Sequence, residues 1–332
     1  MSDNKWKEYD SEEVVLSDVH LSIPFTRIKN GEHALSRIHF TSPNHAKTIN
    51  KDDKKEAKKV KTDADGDFVV ERSQPKDGIE HHTITIEHTL ATSLSGVGTQ
   101  IWRGSFLLSD YIVFKENDRF DGCTALELGA GTGMCSVVMA RVAKRVFCTD
   151  VGDVLEMCNL NRLRNCELFK YSSSDNDVMF VRELDFFHSS DVLFKTALDS
   201  ELNSDSSLKC SYSWTTNDKI HLKKLSVVFA SDVIYNDGLT DAFLECIMYL
   251  LSMNPSAIVY VSLEKRIIFT LEALDVVSPA YDYFIKKLEK LSKENENLKV
   301  HFKKLDTNIP QYFNYLRVNE LELWMIHATP IT

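Results

Sequence analysis

From Cys123 onward the chain alternates short apolar runs with longer stretches in which apolar residues return every three or four positions. The first pattern reads as buried strands and the second as amphipathic helices. Strands are expected near 123–129, 145–149, 178–184, 225–231 and 257–263. Helices are expected near 133–141, 153–165, 239–252 and 268–294, the last broken at Pro279. Regular alternation of this kind predicts a parallel sheet with helices on both faces. Two final runs, 299–305 and 321–327, have no helix-length stretch between them. They are expected as an antiparallel pair at the sheet edge, with the last strand inserted between its neighbours.

The first third of the chain patterns differently. Short strand-like runs occur at 14–16, 20–23 and 37–40, and alternating residues at 68–72 and 83–88 suggest a hairpin. A segment from 96 to 100 leads through Ile101-Trp102 into a helix expected at about 103–114. Residues from about 47 to 67 are rich in lysine and then aspartate, which reads as a solvated loop or as a nuclear-localisation or partner-binding tract. Residues 199–219, rich in Ser, Asp and Asn, read as an inserted loop. The expected organisation is a β-rich extension over 1–82 followed by a domain over 83–332.

Composition narrows the class. A formal net charge of −10 over 332 residues argues against a primary grip on nucleic acid, because that grip needs Lys and Arg to displace counterions. It leaves a basic protein segment open as a substrate. The 7 cysteines include no C-x-x-C pair and mostly sit in apolar runs, the pattern of reduced core thiols without a metal. A polar start (1–10) is no signal peptide, and the longest apolar stretch, 242–253, is too short to span a bilayer and contains Glu245. An intracellular soluble protein, monomeric and without a membrane partner, is expected.

The chemistry concentrates in Thr124-Ala125-Leu126-Glu127-Leu128-Gly129-Ala130-Gly131-Thr132-Gly133. An apolar strand here delivers glycines at alternate positions into a turn that opens a helix. Such a turn lets backbone approach a ligand where a Cβ would collide, next to the free amides of a helix N-terminus. The dinucleotide-binding pattern wants its third glycine at 134, which is Met134. With Glu127 ahead of Gly129, Gly131 and Gly133, the turn instead resembles the S-adenosylmethionine (SAM) site of class I methyltransferases.

Other informative residues fall at expected strand ends, where open parallel sheets bind ligands. Asp150 ends the second strand and is placed to accept both ribose hydroxyls; the alternative is a helix cap, for which Asp153 is better placed. Asp185 and Phe186 end the third strand, as partners for the adenine amino group and face or as a turn aspartate and a core aromatic. The fourth strand carries Ala230 and ends in Asp232-Val233-Ile234-Tyr235, where enzymes methylating amide or adenine nitrogens commonly carry Asn-Pro-Pro-Tyr. A carboxylate in that place favours an amine acceptor, with Tyr235 walling a narrow channel. Glu264-Lys265-Arg266 ends the fifth strand, as solvated edge charges or as substrate-orienting groups. Trp102 is either core or a cover for the methionine end of SAM.

Taken together, Trp102, the Leu126 to Gly133 run, Leu184-Asp185 and Asp232-Val233-Ile234-Tyr235 resemble the family-16 seven-β-strand protein-lysine methyltransferases. Ser262-Leu263-Glu264-Lys265-Arg266 and Leu321-Glu322-Leu323-Trp324 match one branch of that family. The family has Trp after Leu-Asp; this chain has Phe186, so an aromatic cover survives without its hydrogen bond.

The resemblance covers roughly 83–330 and implies the α/β, Rossmann-like class I methyltransferase fold: a seven-stranded, mostly parallel sheet with an antiparallel last strand. It implies SAM as cofactor, S-adenosylhomocysteine (SAH) as product, and a lysine ε-amine of a protein as acceptor. Chaperones, or a nuclear DNA- or RNA-binding protein, are the implied acceptor type, with residence in nucleus and cytoplasm. The expected cofactor residues are Trp102, Glu127, Gly129, Gly131, Gly133, Asp150, Asp185, Phe186 and Ala230; the expected catalytic residues are Asp232, Tyr235 and Glu264. A small-molecule or nucleic-acid methyltransferase and a non-catalytic SAM-binding module are the competing readings.

Overall fold

A computed structural model describes residues 14–43, 78–173, 177–194, 212–266, 268–270, 275–295 and 297–331. The lysine-rich tract, the 68–72 arm of the expected hairpin and most of the 199–219 loop lie outside the described residues.

The N-terminal part contributes β1 (Val14–Leu16), β2 (Phe25–Ile28), β3 (His33–Pro43), β4 (Ile79–Thr89) and β5 (Ala91–Ser93). Strands β2, β3 and β4 form an antiparallel sheet in that order, while β1 pairs with β5. The described partner of the 83–88 strand is thus β3, paired along its whole length. Residues 20 and 21, the first half of the run expected as a strand at 20–23, instead end a short 3₁₀ helix, Asp18–Leu21, whose Ser17 cap accepts the Val19 N–H. The division expected at residue 82 falls inside β4.

The remainder runs α1 (Arg103–Lys115), β6 (Thr124–Leu128), α2 (Met134–Ala140), β7 (Arg145–Asp150), α3 (Val154–Asn165), β8 (Met179–Glu183), α4 (Ser189–Phe194) and α5 (Thr216–Leu222). It continues with β9 (Val227–Ser231), α6 (Asp237–Met253), β10 (Ile258–Glu264), β11 (Ile268–Thr270), β12 (Asp275–Val277), α7 (Pro279–Glu294), β13 (Leu298–Leu305) and β14 (Leu321–Pro330). Two expectations change here. The helix expected from 268 begins only at Pro279, which occupies the first turn where a missing N–H costs nothing, and a β11–β12 hairpin precedes it. The tail of the 199–219 loop is helical, because Thr215 and Asp218 form a reciprocal capping box at the start of α5.

Seven strands make the central sheet in the order β13-β14-β10-β9-β6-β7-β8. Strand β14 is antiparallel to both β10 and β13 and lies between them, as the sequence predicts. This is the seven-stranded, mostly parallel arrangement with one antiparallel strand that the resemblance implies. Alternate strand residues face opposite layers, as the pleat requires. Ala125, Val227 and Phe229 pack with α1, α2, α3 and the N-terminal sheet. Leu126, Val228 and Ala230 pack with α6 and α7. Strand order reverses between β6 and β9, so the carboxyl ends of these two strands open the crevice in which such sheets bind ligands.

Candidate active site

The turn after β6 is built on left-handed backbone: φ is +66° at Gly129, +56° at Gly131 and +74° at Gly133. Space is equally restrictive. A Cβ on Gly131 would lie 2.7 Å from the Gly98 carbonyl oxygen, and one on Gly129 would lie 2.7 Å from Val233 Cγ1. The Ala130 N–H donates to the Thr149 carbonyl at 2.9 Å, the Gly131 N–H to Asp150 Oδ2 at 2.7 Å and the Gly133 N–H to the Ala130 carbonyl at 2.8 Å. The result is a rigid backbone cradle without side chains, directly ahead of α2.

The cradle opens into a cleft of about 630 Å³. Trp102, Gly129, Gly131, Asp150, Asp185, Phe186, Asp232 and Tyr235 all line it, so four strand ends converge as expected. Asp150 accepts the Gly131 and Val151 N–H groups; burial pushes its carboxyl above the usual range and these amides pull it back. Asp153 is the N-cap residue of α3 but makes no side-chain cap bond, and it lines the cleft. Asp185 caps the short turn after β8 by accepting the Phe187 N–H at 3.0 Å, with His188 on its other oxygen. Phe186 packs edge-on against the turn and on Phe243.

Asp232 is the most constrained of these residues. It follows β9 at φ +52°, a left-handed conformation that costs a non-glycine residue about 1 kcal/mol. Two backbone amides hold its carboxylate there, Gly104 N–H at 2.7 Å and Glu264 N–H at 2.9 Å. Burial raises its pKa, against the pull of those amides and of the Arg266 guanidinium. Tyr235 stands half exposed at the rim.

Four expected site residues lie elsewhere. Glu127 is fully buried beneath the turn, where the Ser136 hydroxyl donates to Oε2 at 2.5 Å and Oε1 has no hydrogen-bond partner among the described residues. Burial pushes its carboxyl up to about 8, so it sits there as a neutral acid at pH 7. Gly133 caps α2, packed against Cys148 and Cys158. Ala230 faces the α6 layer inside the sheet. Glu264 lines an adjoining cavity of about 210 Å³, where the Arg103 guanidinium pairs with it at 2.8 Å.

Sequence reasoning missed the roof. A 3₁₀ segment, Leu94–Thr99, lies over the glycine turn, and Trp102 Nε1 donates to the Val97 carbonyl at 2.9 Å. Its signal was Gly96-Val97-Gly98, another alternating glycine pair. Arg266, an edge charge or a substrate-orienting group on sequence alone, has its guanidinium 4.6 Å above the Trp102 ring and lines both cavities.

The cradle and acids fit SAM. A purine nucleoside needs acceptors for ribose hydroxyls and an amino group, and Asp150 and Asp185 stand at neighbouring strand ends. The glycine turn and Asp232 line the same cleft.

Comparison with known proteins agrees. Residues 79–205 match a family model described as lysine methyltransferase. Methyltransferase-like protein 22 from Homo sapiens is 40% identical over 261 residues, covering 77% of this chain and 60% of that protein. The Mus musculus protein of the same name is 39% identical over 261 residues, covering 77% and 62%. The chain thus spans about three fifths of the length of these relatives. Among solved structures, a putative methyltransferase from Streptococcus mutans in complex with SAH superposes with a TM-score of 0.35 at 13% identity, covering 69% of this chain and 100% of that one. Residues 79–205, which hold the glycine turn, Asp150 and Asp185, are thus similar to the lysine methyltransferase family.

Proposed function

We propose that this chain is a SAM-dependent methyltransferase that transfers methyl groups to a lysine ε-amine of a protein. One observation carries the acceptor assignment: the Asp232 carboxylate, fixed by the Gly104 and Glu264 amides, lines the same cleft as the glycine turn and Asp150. When bound, the cofactor supplies a methyl carbon made electrophilic by its sulfonium.

The chain's own residues do the rest. Asp150 accepts from the ribose hydroxyls and Asp185 from the adenine amino group, with Phe186 against the purine. Asp232 draws an incoming ammonium to the cleft and orients it. Its carboxylate already accepts two amides, so it is preorganised and needs no rearrangement as the acceptor arrives. The amine sheds its proton to water through the open mouth, where Tyr235 stands half exposed. Its lone pair then forms the N–C bond as the C–S bond breaks, a displacement governed by position and electrostatics. From the family resemblance we infer an acceptor among nuclear nucleic-acid-binding proteins.

The test is transfer of label from methyl-tritiated SAM into an extract of cells that lack the enzyme. The reading expects protease-sensitive, nuclease-resistant label that elutes as methyl-lysine after hydrolysis. Label in nuclease-sensitive material, or in no macromolecule, would count against it.

A further inference from the structure

Asn161 lies in the middle of α3 with no exposed surface, a position that helix propensity does not favour for asparagine. Its amide is fully used. Oδ1 accepts the Glu87 N–H at 2.7 Å, and Nδ2 donates to the Glu87 carbonyl at 2.9 Å and to the Thr132 carbonyl at 2.8 Å. One helical turn later, Asn165 repeats half of this on Thr85: Oδ1 accepts the N–H at 2.8 Å and Nδ2 donates to the carbonyl at 2.9 Å. The second hydrogen of Asn165 stays inside its own helix, on the Asn161 carbonyl at 2.7 Å.

Residues 85 and 87 of β4 turn their backbone groups to the same edge, so the two asparagines occupy the place of a neighbouring strand. They differ in one contact. Only Asn161 reaches Thr132, the residue between Gly131 and Gly133. The neighbouring turn carbonyl, that of Gly131, accepts from Cys158 Sγ of the same helix at 3.0 Å. Helix α3 therefore grips two consecutive carbonyls of the turn while it is bonded to the N-terminal sheet.

We infer that Asn161 is a positioning residue for the cofactor turn, and that through it the N-terminal sheet sets the shape of the SAM cradle. This rests on the cofactor reading above. A turn with three glycines has many conformations open to it, and ordering it on binding weakens affinity. A clamp on Thr132 orders it beforehand. The side chain touches no ligand; its action passes through the Thr132 carbonyl.

The test compares the full chain with Asn161→Ala, Asn161→Asp and Asn165→Ala by SAH titration and by amide hydrogen exchange at Gly131 and Gly133. Asn165→Ala loses an equivalent pair of β4 bonds without touching the turn, and so controls for loosening of the sheet. Asn161→Asp keeps the acceptor for Glu87 but has no hydrogen to give Thr132. Both Asn161 variants are expected to weaken SAH about tenfold, the factor that 1.4 kcal/mol of lost preorganisation makes, and to speed exchange at both glycines. Asn165→Ala is expected to stay within about twofold of wild type in SAH affinity, well inside that 1.4 kcal/mol step, while its melting temperature falls. Equal SAH affinities at the two positions, or unchanged glycine exchange in both Asn161 variants, would overturn the inference alone. A wild-type chain that binds no SAH would overturn the cofactor reading, and this inference with it.

Discussion

The Asp232 carboxylate accepts the Gly104 N–H at 2.7 Å, joining the end of β9 to the first turn of α1 across 128 positions of sequence. The approach is so close that a Cβ on Gly104 would lie 2.7 Å from the Asp232 carboxyl carbon. Gly104→Ala must therefore displace Asp232 while leaving the glycine turn untouched. A shift of order 1 Å at a reacting centre costs about 10²-fold in rate. Methyl transfer is expected to fall by about that factor, with SAH affinity nearly unchanged. Steady-state transfer and calorimetric SAH titration read the two effects separately.

Gly131→Ala attacks the cradle itself. Its φ of +56° costs alanine about 1–2 kcal/mol, and the new methyl meets the Gly98 carbonyl rather than a yielding side chain. Loss of SAH affinity by about tenfold or more is expected, measured by calorimetry, together with displacement of the Leu94–Thr99 roof.

Asp150 and Asp153 together test the proposed ribose contact. Both line the cleft, but only Asp150 carries the turn amide and the ribose assignment. Hydrogen bonds to a charged group contribute about 1.5–3 kcal/mol, so Asp150→Ala is expected to weaken SAH by about 10–100-fold. Asp153→Ala is expected to leave it nearly unchanged. The same order should hold for 5′-methylthioadenosine, which keeps the ribose but lacks the amino-acid arm.

Glu127 gives a pH signature. Burial raises its folded pKa to about 8 from an ordinary value of 4.5, so the folded state binds its proton more tightly than the unfolded state does. Its contribution is fully present below pH 4.5 and is lost progressively as pH rises to about 8. Glu127→Gln keeps the shape without the ionisation. The stability of Glu127→Gln relative to wild type is expected to improve steadily over that interval and then level off, as read by urea unfolding at a series of pH values.

The sheet was legible because its strands are short, doubly covered apolar runs, and the glycine turn because no other residue tolerates that backbone. Chain contacts hid the rest. Nothing local distinguishes Glu127 beneath the turn from Asp150 beside the cleft, since both are acids close to the carboxyl ends of the neighbouring strands β6 and β7. Burial separates them, and burial is a tertiary property. Ala230 and Ser231 are one residue apart, yet the pleat sends Ala230 to the α6 layer and Ser231 to the cleft. Apolar residues before Pro279 read as helix, whereas Pro279 begins the helix and the preceding strands pair with each other. Sequence leaves Arg266 open as a solvated edge charge or a substrate-orienting group because its partner, Trp102, lies 164 positions away.

The most direct measurement pairs methyl-lysine formation with SAH affinity in wild type and Asp232→Ala. Supplied with labelled SAM and extract protein, wild type is expected to deposit label in methyl-lysine. Asp232→Ala is expected to lose that transfer while still binding SAH with near-wild-type affinity. Full transfer by Asp232→Ala, or a wild-type chain that binds SAH and methylates no lysine, would contradict the account.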